Sequence, residues 1–134
     1  MEQLASLTNR KKKSAARLTK NSKIIKTIIA AIQDKKGGNI VSLDLRKINE
    51  AVADFFIICE ADNAPQLKAI ADNVDDKVKE KCGERPYHQE GYQKAQWVLI
   101  DYLNVVVHVM HTETRKFYNL EEMWNDAALE NYKS

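Results

Sequence analysis

The chain of 134 residues contains only two cysteines, four glycines and two prolines. Cys59 and Cys82 flank a segment of helical pattern, which gives neither a disulfide framework nor the paired spacing of a zinc site, so no metal is expected. Both thiols are expected to be reduced, buried and inert. The glycines are too scattered for a dinucleotide fingerprint, and Gly38 is followed by Asn39 where a phosphate loop needs lysine. No apolar run approaches the roughly 18 residues of a membrane span, so no membrane partner is expected. The basic N-terminus lacks an apolar stretch followed by a small-residue cleavage site, and the expected location is cytoplasmic. Hydrophobic residues at 44% and charged residues at 30% exclude wholesale disorder and collagen-like repeats. The length suits one domain with tails.

What is abundant is charge, unevenly placed. Residues 1–36 hold ten Lys or Arg against two acids, and residues 37–134 hold eleven against seventeen. A net +8 segment on a net −6 body suits a partner carrying both signs, such as a nucleic acid with basic proteins on it, or simply keeps a frayed terminus soluble. The run Arg10, Lys11, Lys12, Lys13, then Arg17 and Lys20, has few large apolar residues beside it. Residues 1–21 are therefore expected to be a flexible basic arm, 22–126 the domain, and 127–134 a C-terminal tail.

Within the domain, Ile24, Ile25, Ile28, Ile29 and Ile32 repeat at helical spacing from Ser22 to near Gly37. IVSLDL (40–45) reads as a strand, and ADFFIIC (53–59) as a strand buried on both faces. After Pro65, Leu67, Ile70, Ala71, Val74 and Val78 form one face of a helix that Gly83 stops. A short strand over 87–92 precedes WVLIDY (97–102) and VVVHVM (105–110), which form a hairpin across Leu103 and Asn104. Asn119 and Glu122, at capping-box spacing, open a short helix over 120–124. This order predicts a single α/β domain with a mixed five-stranded sheet flanked by helices.

The hairpin separates two faces. Val98, Ile100 and Tyr102 pair with Val109, Val107 and Val105 on an apolar face, leaving Trp97, Leu99 and Asp101 with Val106, His108 and Met110 on the other. A face mixing an aromatic, a thioether, a carboxylate and an imidazole suits a protein-binding patch. Alternatively a helix covers it, and Trp97, Met110 and His108 are then core.

Taken in order, ADFFIIC, QLKAIAD (66–72), Glu90 with Gly91, WVLIDY, VVVHVMH and FYNLEEMW (117–124) resemble the ribosomal silencing factor family, also called Iojap-related, from about Ser22 to Trp124. The resemblance implies a non-enzymatic factor without cofactor that binds the large ribosomal subunit through its ribosomal protein fourteen (uL14). Bound there, it would block joining of the small subunit and repress translation. Relatives in organelles are tied to large-subunit assembly. In that reading Trp97 centres the interface with Leu99, His108 and Met110, Asp101 and Glu90 meet basic side chains, and Tyr118 is a rim contact or packed core. Contact of the arm with ribosomal RNA, and a homodimer of free copies, stay open.

Two other classes compete. The architecture is also nucleotidyltransferase-like, and Asp44, Asp54 and Asp101 are the carboxylates such a metal-dependent enzyme would use, but no phosphate loop and no close acid pair accompany them. His108 and His111 point to opposite faces of a strand, which weakens a metal reading. A plain RNA-binding module would rest on the arm with Tyr87 and Tyr92, against the acidity of the body.

Overall fold

The computed structural model describes residues 18–48 and 51–134, and the expected arm lies outside the described residues as far as residue 17. The elements are α1 (Lys23–Asp34), β1 (Gly38–Asp44), β2 (Phe55–Ala61), α2 (Ala64–Cys82), β3 (His88–Glu90), β4 (Trp97–Asp101), β5 (Val105–His111), α3 (Thr112–Tyr118), α4 (Leu120–Met123) and β6 (Ala128–Tyr132). They build one mixed sheet in the order β3-β4-β5-β2-β1-β6. Only β2 and β5 pair in parallel, in keeping with the unbroken apolar run of β2, which is buried on both faces.

The sheet has six strands where five were expected. The segment expected to be a C-terminal tail folds back as β6 and pairs antiparallel with β1 from Ala128 to Tyr132. Its sequence ALENY has no apolar alternation, and most of it stays exposed at the sheet edge. Its pairing comes from backbone hydrogen bonds and from Tyr132, whose hydroxyl is 3.1 Å from Ser42 Oγ.

Local chemistry explains the boundaries. Asn63 caps α2 by accepting from the Gln66 amide at 2.9 Å, Pro65 occupies the first turn, and Gly83 closes the helix with φ +66°. Helix α1 ends at Asp34, and a Cβ on Gly37 would collide with Ile32, so the chain turns tightly into β1. In the β4–β5 hairpin the expected register holds, with Val98 opposite Val109 and Ile100 opposite Val107. Leu103 takes the left-handed conformation at φ +72°, held by its amide donating to Asp101 Oδ1 at 2.7 Å. The Asn104 carbonyl accepts from the Asp54 and Phe55 amides and so ties the turn to the start of β2.

Two cores sandwich the sheet. Helices α1 and α2 cover one face, burying Ile28, Ile32, Leu67, Ile70 and Val74 against Phe55, Ile57, Val98, Ile100, Val105 and Val107. The other face carries Val41, Leu43, Phe56, Ile58, Trp97, Leu99, Val106 and Met110 beneath Leu120, Tyr118 and Trp124. Among the described residues no helix is long and apolar enough to cross a membrane.

Candidate protein-docking site

The hairpin brings Trp97, Leu99, Asp101, Val106, His108 and Met110 to one face, as the alternation required. That face is not open. Trp97 is 3% exposed, Asp101 1%, and Leu99, His108 and Met110 are wholly buried, so none of the five is a surface contact as expected. The cause is α3, which begins directly at the end of β5, with His111 capping it by accepting from the Glu113 amide. Helices α3 and α4 then turn back across the sheet and seat Tyr118, Leu120 and Trp124 on it.

Beneath this cover the aromatic rings form a chain. The Tyr118 ring centroid lies 5.0 Å from Trp97, Trp97 lies 5.8 Å from His108, His108 sits edge-on to Phe56 at 4.5 Å, and Phe56 meets Trp124 at 5.9 Å. Trp97 Nε1 donates to His108 Nδ1 at 3.1 Å, which leaves the proton of a neutral imidazole on Nε2. Burial pushes the His108 pKa down to about 3. The folded protein therefore refuses a proton that the unfolded chain accepts below about pH 6.5, so stability falls as pH drops from there toward 3. This contribution amounts to at most about 1.4 kcal/mol per pH unit. Urea unfolding at pH 7 and pH 4.5 is expected to show that His108→Phe loses about 2 kcal/mol less on acidification than the parent. Equal acid sensitivity would show that His108 is charged in the fold.

Asp101 is a turn residue, its carboxylate taken up by the Leu103 amide rather than offered to a partner. Glu90 lies on the edge strand β3 opposite Leu99, 3.0 Å from His88 Nε2, with its other carboxylate oxygen buried and unpartnered. Tyr118 is half-buried, packed between Trp97 and Phe117, so it joins the core by one face of its ring. Asn119 stands in the left-handed region at the junction of α3 and α4, and its side chain bonds the Glu122 carboxylate instead of completing the expected capping box.

The residues that do reach the surface had been given no role. Phe117 on α3 is 79% exposed and Met123 on α4 is 49% exposed. The same stretch, residues 112–126, carries Glu113, Glu121, Glu122 and Asp126 against two cations, one of which is turned inward. That one is Arg115, which reaches the Asn39 carbonyl at 2.6 Å, Glu60 at 3.1 Å and Glu121 at 2.9 Å, tying α3 and α4 to β1 and β2. The sequence signal for it was Glu60, a lone carboxylate within the buried strand β2.

The carboxylates of the enzyme reading sit at one end of the sheet, but each is locally engaged. Asp44 pairs with Arg46 at 2.6 Å, and that guanidinium holds its pKa below the usual carboxylate value. Asp54 accepts from the Leu18 amide at 3.1 Å. Among the described residues no group of three or more His, Cys, Asp or Glu could hold a metal ion. Cys59 is buried, and desolvation raises its thiol to about 12, whereas Cys82 is only partly buried and lies 3.7 Å from Thr27 Oγ1.

Residues 18–134 match the family model described as ribosomal silencing factor during starvation. A ribosomal silencing factor of Bacillus subtilis is 42% identical over 106 residues, covering 79% of this chain and 88% of the relative. A crystal structure of a Chromobacterium violaceum protein superposes with a TM-score of 0.72 at 37% identity, over 76% of this chain and 83% of that one. A mouse protein named mitochondrial assembly of ribosomal large subunit protein 1 is 33% identical over 73 residues, 53% of this chain and 32% of the relative. With the match beginning where Leu18 enters the domain and running through β6, and with the helix-covered sheet shared by a solved relative, the chain belongs to the ribosomal silencing factor family.

Proposed function

We propose that the chain binds the large ribosomal subunit through its ribosomal protein fourteen and sterically keeps the small subunit from joining, so that translation is repressed without any bond being made or broken. The observation that carries this reading is the exposure of Phe117 and Met123 on two short helices seated on a buried aromatic bed. Large apolar side chains held at a surface suit the centre of a protein interface, and the excess of acids over cations in residues 112–126 suits a basic partner such as a ribosomal protein. Glu90 is a further acid for the same partner on the edge strand β3, and Tyr118, in ring contact with Phe117, belongs to this surface. Trp97, Leu99, His108 and Met110 act through it, as the floor that positions Tyr118. The name of the mouse relative favours a second reading, in which the same docking serves assembly of the large subunit.

The test is co-sedimentation of Phe117→Ser and Met123→Ser with purified large subunits, beside thermal melting. Both side chains are largely in water, so melting should move little. Loss of the central aromatic is expected to weaken binding about thirtyfold, the equivalent of about 2 kcal/mol. Binding equal to the parent would remove the α3–α4 surface from the interface.

A further inference from the structure

The helices on the two sides of the sheet differ in how their charge is placed. Across from the acidic α3–α4 surface, α1 and α2 run antiparallel, as shown by Gln66 bonding the end of α1, Asn73 the Ala31 carbonyl, and Cys82 lying beside Thr27. Residues 23–30 and 77–85 thus lie side by side. They contribute Lys23, Lys26, Lys77, Lys79, Lys81 and Arg85 against Glu80 and Glu84, whereas the rest of the two helices carries Asp34, Asp72, Asp75 and Asp76 against Lys68, so the positive charge is confined to this end. Between them opens a cleft of about 240 Å³ whose walls include Thr27, Ala30, Lys77 and Lys81. Lys77 and Lys81 are one helical turn apart and border the same cleft, with the small Ala30 side chain opposite.

The acids nearby offset this charge only in part. Asp34 also lines the cleft, where it accepts from Asn73 at 3.3 Å and keeps its charge, so two lysines stand there against one carboxylate. Glu80 lies 3.8 Å from Lys77 with its side chain 65% exposed, a weakly coupled pair. A second observation comes from the sequence, where no acid stands between Glu2 and Asp34 while eight Lys or Arg do. Leu18, just before α1, is anchored by the Asp54 carboxylate and by Arg46.

We infer that the α1–α2 cleft is a docking surface for the phosphodiester backbone of RNA. Phosphates are bound by lysines and arginines arrayed along a groove, without apolar anchors. The large exposed hydrophobics among the described residues are Tyr87, Phe117, Met123 and Leu129, and none lies on α1 or α2. An ordinary protein partner would need such anchors there. Because the cleft and the α3–α4 surface lie on opposite sides of the sheet, RNA and protein can be held together.

The experiment uses the full chain and a fluorescently labelled mixed-sequence single-stranded RNA, with binding read by anisotropy from about 50 to 200 mM salt. Lys77→Gln with Lys81→Gln is expected to weaken binding at least tenfold at the lowest salt. The log–log salt slope should become shallower by about 1.4, for two lost phosphate contacts. Lys26→Gln, on the exposed face of α1, should remove about half of that, and Glu113→Gln with Glu122→Gln on the opposite face should not make the slope shallower. A parent protein that binds no RNA would overturn the inference, as would lysine variants with unchanged affinity and slope. Equal displacement of the RNA by millimolar inorganic phosphate would overturn it too, by making the cleft a small-anion site.

Discussion

Replacing Arg115 by methionine is expected to cost about 3 kcal/mol of stability and to lower the melting temperature by about 10 °C. The guanidinium side chain is 8% exposed and bonds three groups from separate elements: the Asn39 carbonyl, Glu60 and Glu121. Methionine keeps much of the volume but leaves two carboxylates facing each other and a carbonyl unpaired. The estimate sits at the low end of the range for removing one partner of a buried pair, because Glu60 and Glu121 retain 16% and 25% of their side-chain exposure. Lysine, a point charge without the planar fork, should recover only part of the loss. Urea denaturation measures both, and a methionine variant within 1 kcal/mol of the parent would show that the second core alone holds α3 in place.

Trp97→Ala is expected to destabilise the fold by about 3–5 kcal/mol, the usual cost of emptying a buried aromatic site. Trp97 is 3% exposed, floors Tyr118, and supplies the donor that satisfies His108 Nδ1. Truncation therefore opens a cavity and strands a buried acceptor at once. Trp97→Phe keeps a ring and loses the donor, so its cost should be about 1–3 kcal/mol. Large-subunit binding by the alanine variant, measured where it remains folded, should fall because Tyr118 loses its floor. A variant that melts like the parent yet fails to bind would mean that Trp97 itself is reached by the partner.

The hairpin illustrates both what was legible and what was not. Alternation of apolar residues on either side of Leu103 and Asn104 sufficed for register, and it sorted Val107 from His108 correctly. It could not say which of two apolar faces stays open, since an interface patch and a core have the same composition. The segment after β5 was illegible for a related reason. Thr112–Tyr118 reads as TETRKFY, with no apolar period, and the one buried residue of α3 is Arg115. Its helix is held by ion pairs to Glu60 and Glu121, fifty-five and six residues away in the chain. Periodicity registers apolar burial and is blind to such a partner.

Local patterns in the sequence determined the helix and strand periods, the turn at Leu103, the stop at Gly83, the uneven charge and, through the order of its motifs, the family. These depend on neighbours within a few residues, where sterics and solvation act directly. Tertiary structure alone decided that β6 completes the sheet and that Trp97 lies inside while Phe117 lies outside. Each of these turns on contacts between segments distant in the chain, whose free energy exists only once both segments are in place.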